Sequence, residues 1–254
     1  MNKRIIWLSA NRFGYELLKE AVKQSRSNIK AIVTLSKKTK IIMYDGLSRQ
    51  RWYDFKDIDV YEVESINNDG QILKRLSPDF LFVCGWREII SRDILRISKY
   101  GTIGFHPSLL PEGRGPAPII NSILQGIRWS GVTMFYLDKG LDNGDIIGQE
   151  KFVIGKDDYA EDIYNKVISA GKELINRYLP LLISGNAPRK PQDELKATYF
   201  KKLSLKNNEI DIENESTKQI YDKIRAFSSP YRGAYIKKGD KKIVIWRAEI
   251  KDIR

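Results

Sequence analysis

KRIIWLSANRFGYELLKEAVKQSRSNIKAIVTLS, residues 3–36, reads as strand, helix, strand. An apolar run closes on the small residues Ser9 and Ala10, Phe13, Leu17, Leu18 and Val22 follow at helical spacing, and NIKAIVTLS is apolar again. Two strands joined by one helix make a βαβ unit with a right-handed crossover, the opening of a Rossmann-like α/β fold. SANRFG holds one glycine where the dinucleotide fingerprint needs three, so a dinucleotide is not implied. The turn still lies at the carboxyl end of the first strand, where Asn11 or Arg12 and the helix N-terminus can meet an anionic acceptor.

Outward from that unit the alternation continues. Residues 36–56 fit no clean period; their aromatic rings and Lys37, Lys38, Lys40, Arg49 and Arg51 suit either a surface excursion or a substrate loop. DVYEVES at 59–65 reads as an edge-side strand, DGQILKRLSP as a short helix, FLFVCGW at 80–86 as the central strand, and GWREIISRDILRIS as a further helix. After a loop rich in Pro and Gly come a helix at PIINSILQGIRW, strands in SGVTMFYLDKG and GLDNGDIIGQEKFVIG, and a long amphipathic helix in DYAEDIYNKVISAGKELINRYLPLLISG. The expected fold is α/β: a mostly parallel sheet with helices on both faces, plus a small C-terminal α+β appendage. GNAPRKPQDE sets a linker at 185–194 between a unit at 1–184 and a subdomain at 195–254, whose helix and strand pair carry too little core to stand alone.

Composition narrows the class. With 42% hydrophobic residues the 254-residue chain can bury a sizeable core. No run approaches a membrane span and the N-terminus lacks a signal-peptide pattern, so a cytoplasmic protein is expected. One cysteine, Cys84, allows no internal disulfide or thiolate cluster, and no metal is expected. The net charge of +12 divides as +7 over residues 1–60, zero over 61–190 and +5 over 191–254. Basic flanks around a neutral centre suit a phosphorylated small molecule as well as RNA, or simply a solvated lysine-rich surface.

The neutral centre holds GTIGFHPSLLPEGRG, residues 101–115, with the one histidine of the chain, His106. Its prolines and glycines forbid a continuous helix or central strand, so His106 stands where a strand gives way to a loop. Asp142 lies in the turn after GVTMFYL. If that strand and FLFVCGW belong to one parallel sheet, both turns open on one edge, where a carboxylate can orient and charge an imidazole for proton transfer.

HPSLLPEGRGPAP at 106–118 followed by SGVTMFYLDKGLDNGDII at 130–147 resembles the signature of the folate-dependent formyltransferases, the family that includes the methionyl-tRNA, glycinamide ribonucleotide and nucleotide-sugar N-formyltransferases. RAFSSPYRGAYI at 225–236 and KIVIW at 242–246 are similar to the C-terminal portion of the tRNA and amino-arabinose members. The resemblance implies transfer of a formyl group from N10-formyltetrahydrofolate to a primary amine. It implies that His106 stabilises the oxyanion of the tetrahedral adduct as a cation, and that Asp142 raises the pKa of His106 and assists proton movement. It places the folate pterin against Trp86, Arg87, Ile89 and Ile90 and against Leu137, Asp138 and Leu141. Ser108 and Arg114 join Asn11 and Arg12 as acceptor-binding candidates, Arg114 either holding its loop together or facing acceptor phosphates.

One departure stands out: the family pattern is N-x-H, and here the first position is Gly104, which has no side chain to donate a hydrogen bond. A backbone N–H, Ser108, a water or Asn11 must take that role, or the site works without it; a formyl-folate hydrolase is the reaction this leaves open. Intermediate length and the G-F-H-P variant look most like sugar N-formyltransferases of surface-polysaccharide or pseudaminic-type pathways. The expected acceptor is a UDP- or dTDP-linked 4-amino-deoxy sugar, with methionyl-tRNA as the alternative. The expected partners are that nucleotide sugar and a second copy of the chain in a homodimer, not nucleic acid or a membrane.

Overall fold

The computed structural model describes residues 3–204 and 206–253. Strand β1 (Ile5–Leu8) is buried at every position, as a strand covered on both faces must be. It feeds helix α1 (Arg12–Ser25), where Asn11 is the N-cap and accepts from the Gly14 N–H, and Phe13, Leu17, Leu18 and Ala21 turn inward. β2 (Ile29–Leu35), β3 (Asp59–Val63), α2 (Gln71–Leu76), β4 (Phe80–Val83), α3 (Arg92–Leu95) and β5 (Gly101–His106) follow. After them come α4 (Pro118–Leu124), β6 (Trp129–Tyr136), β7 (Ile146–Val153) and α5 (Ala160–Ser184). The seven strands form one sheet in the order β3-β2-β1-β4-β5-β6-β7, with β3 at one edge and β4 in the middle.

The sheet is covered on both faces. Under α1, α4 and α5 lies an apolar layer built around Trp7, Phe82, Leu17, Ile120, Val167 and Leu174. Under α2 and α3 a smaller one gathers Ile6, Leu8, Val33, Leu81, Leu73 and Ile94. Each such side chain, fully buried, contributes roughly 1.5–3 kcal/mol. The C-terminal stretch adds α6 (Thr217–Phe227), started by a reciprocal Ser216/Gln219 capping box, and a hairpin of β8 (Ala234–Lys238) and β9 (Lys241–Ile245). Its Arg225 donates to the Asp158 carbonyl, and the Ala248 carbonyl accepts from the Tyr159 hydroxyl. Among the described residues no helix is long and apolar enough to cross a membrane.

The stretch 101–115 is not loop throughout: Gly101–His106 forms the inner strand β5, paired with β4 and β6, because its first proline is Pro107 and every N–H before it can join the ladder. Two further expectations change. GWREIISRDILRIS is not one helix: only Arg92–Leu95 is helical. Gly85 sits at φ +68°, and the Glu88 carboxylate accepts from Ile66 N, Asn67 Nδ2 and the Ser65 hydroxyl, while Ser91 N donates to Asn67 Oδ1. Those bonds pull the chain across to residues 65–67 and away from helical pairing. Second, β6 is antiparallel to β5, not parallel to β4 and its neighbours. The turn after β6 therefore begins at the amino end of β5, the edge opposite His106, and cannot reach the imidazole by the route expected from the sequence.

Candidate active site

The chain solves that geometry by doubling back. At the start of the turn Leu137 N donates to Thr102 O at 2.8 Å, and the segment then runs along the face of β5 toward its carboxyl end. Residues 102, 104 and 106 share that face by strand alternation. Leu137 lies over Gly104: a Cβ there would stand 2.6 Å from Leu137 Cδ2 and 2.9 Å from Cγ. Five residues on, Asp142 Oδ2 comes within 3.7 Å of His106 Nδ1. The absent side chain at Gly104 is what lets the return segment lie close to the sheet.

His106 is 7% exposed and its Nε2–H donates to the Gly113 carbonyl at 2.8 Å. Nδ1 is left as the basic nitrogen of the neutral ring, facing a carboxylate at a distance too long for a hydrogen bond. That carboxylate is fixed from its other side by the Gly115 N–H, 2.8 Å from Asp142 Oδ2. Asp142 itself is at φ +50°, a left-handed conformation that Asp tolerates better than most residues.

Residues 190–200 brace both loops. Ile146 and Lys190 exchange two backbone hydrogen bonds, and Arg114 and Phe200 are bonded through Phe200 N and the Arg114 carbonyl. Gln192 Nε2 donates to the carbonyls of Asp142 and Gly144, both at 2.8 Å, while its Oε1 accepts from Arg114 Nε and Nη2 at 3.1 and 2.8 Å. Arg114 is 1% exposed and also donates to Glu194 and to the Tyr199 hydroxyl. Hydrogen bonding to Glu194 raises its pKa further. These are bonds that hold a loop.

The other site candidates, apart from Asp138 at the start of the return segment, fall on the same carboxyl edge, in different states of engagement. Asn11 is buried, capping α1 and donating to Asp45 Oδ2 at 2.8 Å; Arg12 is exposed and donates to Asn165 Oδ1. The Ser108 hydroxyl donates to the Glu112 carbonyl. Trp86 is half-buried with its Nε1 toward Glu88, and Ile90 packs on the smaller apolar layer. Ile89 and Leu141 are exposed, and Asp138 Oδ1 accepts from the N–H of Lys139. Arg87 is exposed, 4.3 Å from the centre of the Tyr44 ring. Arg232, from the C-terminal stretch, lies 4.8 Å from the same ring.

Asp45 and Tyr164 were not foreseen. Asp45 Oδ2 accepts from Asn11 and, at 2.5 Å, from the Tyr164 hydroxyl, which in turn accepts from Phe13 N. Burial, then the nearby Asp45 charge, pushes the Tyr164 phenol far above its ordinary pKa. Together with Leu47 N bonded to Ala10 O, this anchors the 36–56 segment beside the end of β1. Gln192 was equally hidden: it is one polar residue in a polar linker, and no spacing marks it. Among the described residues no cluster of His, Cys, Asp or Glu gathers as a metal site.

Comparison with known proteins adds a family. The formyl transferase pattern matches residues 3–179, and the formyl transferase C-terminal domain matches residues 202–254. Methionyl-tRNA formyltransferase of Methylacidiphilum infernorum is 32% identical over 236 residues, 89% of this chain and 71% of that protein. Across the first five curated relatives this chain spans 30% of the length of one and 60% to 80% of the others. Among solved structures, a 4-N formyltransferase from Francisella tularensis matches with a TM-score of 0.75 over 99% of each chain at 21% identity. The N-formyltransferase of Helicobacter canadensis in complex with folinic acid and dTDP-3-aminofucose matches with a TM-score of 0.67, 24% identity, 89% of this chain and 81% of that one. The likeness to these two structures is one of fold.

Proposed function

The chain belongs to the formyl transferase family, and from that premise we propose that it transfers the formyl group of N10-formyltetrahydrofolate to the primary amine of a UDP- or dTDP-linked 4-amino-deoxy sugar. One observation carries the chemistry: the sole imidazole stands at the carboxyl edge of the sheet with a carboxylate 3.7 Å from Nδ1. In the same reading residues 1–184 are the catalytic unit and residues 195–254 a subdomain packed on it.

Bound N10-formyltetrahydrofolate supplies the formyl carbon. Transfer breaks its bond to N10, makes one to the acceptor nitrogen and moves one proton from that nitrogen to N10. Negative charge gathers on the formyl oxygen on the way, and His106 is the group that answers it. Its Nε2–H is held by Gly113 O, so Nδ1 is where the ring gains or gives a proton. Asp142 attracts a positive ring across 3.7 Å yet stands too far off to bind its proton, so the Nδ1–H stays available to an oxygen. A donor fixed before the reaction stabilises the transition state more than the ground state. The return segment also fits the pterin: among the described residues Asn143 Oδ1 is buried without a partner, an acceptor suited to ring N–H donors.

On the acceptor side, Arg12, Arg87 and Arg232 put exposed cations on this edge, and among the described residues none has a carboxylate within 4.0 Å. A diphosphate matches guanidinium geometry well. The Helicobacter canadensis protein, solved with a dTDP-linked amino sugar, supports this class. The Methylacidiphilum relative and the basic flanks favour a tRNA acceptor as the second reading. The test is to incubate purified protein and formyl-folate with a panel of UDP- and dTDP-4-amino sugars, with methionyl initiator tRNA, and with no acceptor. Formylated sugar is the expected product. Product on tRNA alone, or formate released without an amine, would overturn the sugar assignment.

A further inference from the structure

We infer that Gln192 is a positioning residue for the His106–Asp142 pair, acting from a stretch that neither family pattern covers; the inference rests on that pair being the working site. The two side chains share no hydrogen bond at 3.7 Å, so nothing within the pair fixes its spacing. The spacing is set by what holds each loop. His106 is tied to its own loop at Gly113 O, and Asp142 to the same loop at Gly115 N. Both ties depend on where residues 113–115 lie relative to the return segment.

Gln192 joins those two loops through a single amide. Its Nε2–H2 group serves the carbonyls on either side of Asn143, one of them the carbonyl of Asp142 itself, and its Oε1 receives two N–H groups of Arg114. The Gly115 N–H holds the carboxylate of Asp142, and Gln192 holds the backbone that carries it, at a residue of φ +50°. The donors and acceptor are used in full on that side of the amide, which neither a Glu nor a Leu can reproduce. Residues 180–201 lie outside both family matches, and the backbone pairings of Lys190 and Phe200 on either side of Gln192 deliver it to this position. The stretch that reads as a linker thus sets the geometry of the charge pair.

Gln192→Leu and Gln192→Glu test this. Leu removes donor and acceptor at similar volume; Glu keeps an acceptor for Arg114 but loses the donor to the two carbonyls. On the formyl acceptor that the wild-type protein uses, both are expected to lower kcat by about 10- to 100-fold, the scale of a misplacement near 1 Å. KM for both substrates should stay within about threefold. The second readout needs no substrate: with one histidine in the chain, the imidazole signals in an NMR spectrum belong to His106. In Gln192→Leu the His106 ring resonances should be displaced from their wild-type positions at fixed pH, at unchanged far-UV circular dichroism. Wild-type kcat in both variants, or His106 ring resonances that Gln192→Leu leaves at their wild-type positions, would overturn the inference. If the wild-type protein formylates nothing, the proposed function fails while the NMR comparison still decides the role of Gln192.

Discussion

Restoring the asparagine of the family pattern should harm this protein. In Gly104→Asn the new Cβ would lie 2.6 Å from Leu137 Cδ2 and 2.9 Å from Cγ, so the Leu137 side chain must move while its backbone stays bonded to Thr102 O. Overpacking of this kind costs about 1–3 kcal/mol. For a chain of this size each kcal/mol corresponds to roughly 2–4 °C, so a drop in Tm on the order of 2–12 °C is expected. The strain enters the segment that carries Asp142, so turnover should fall by an order of magnitude or more even though an amide donor has been added beside His106. Thermal melts and formyl-transfer assays on Gly104→Asn, Leu137→Ala and the double variant give the cycle. The double variant should recover both stability and rate relative to Gly104→Asn, a coupling expected only of residues in contact. A Gly104→Asn protein with unchanged Tm and faster turnover would refute the account of why glycine stands there.

Asp142→Asn should keep folate affinity within a few-fold and lower kcat about a hundredfold, read by comparing kcat with KM; equal activity would remove the carboxylate from the mechanism. Tyr164→Phe leaves Asp45 and Phe13 N short of one buried partner and should cost about 1–3 kcal/mol in denaturant unfolding. Because the folded state raises the Tyr164 pKa, an unfolded chain loses that proton first as pH climbs past about 10, and stability falls; the slope above that pH should be shallower in Tyr164→Phe. Arg87→Ala and Arg232→Ala should raise KM for a diphosphate-bearing acceptor several-fold with little change in kcat, while a tRNA-specific protein would show the steeper loss on tRNA.

The sequence made the first half of the sheet legible because Ile5–Leu8 and Phe80–Val83 are unbroken apolar runs, Ile29–Leu35 is apolar but for Lys30 and Thr34, and α1 has a clear apolar stripe. β5 was harder to see, since Gly101 and Gly104 dilute the strand signal and the glycine at 104 is there for a neighbour distant in the chain. His106 and Asp142 could be paired from their motifs, but the direction of β6 could not be deduced: strand direction is a property of connections, not of composition. GWREII resembled a helix start because the hydrogen bonds of Glu88 go to residues 65–67, which no local pattern reports. Gln192 illustrates the same limit, a common polar side chain made decisive by where folding delivers it.

The return segment from Leu137 to Asp142 behaves as a ruler laid along β5. Its zero mark is the Leu137–Thr102 hydrogen bond and its reading is taken at His106, two residues beyond Gly104. Adding or removing one residue between those marks would move the carboxylate away from an imidazole that now stands 3.7 Å from it.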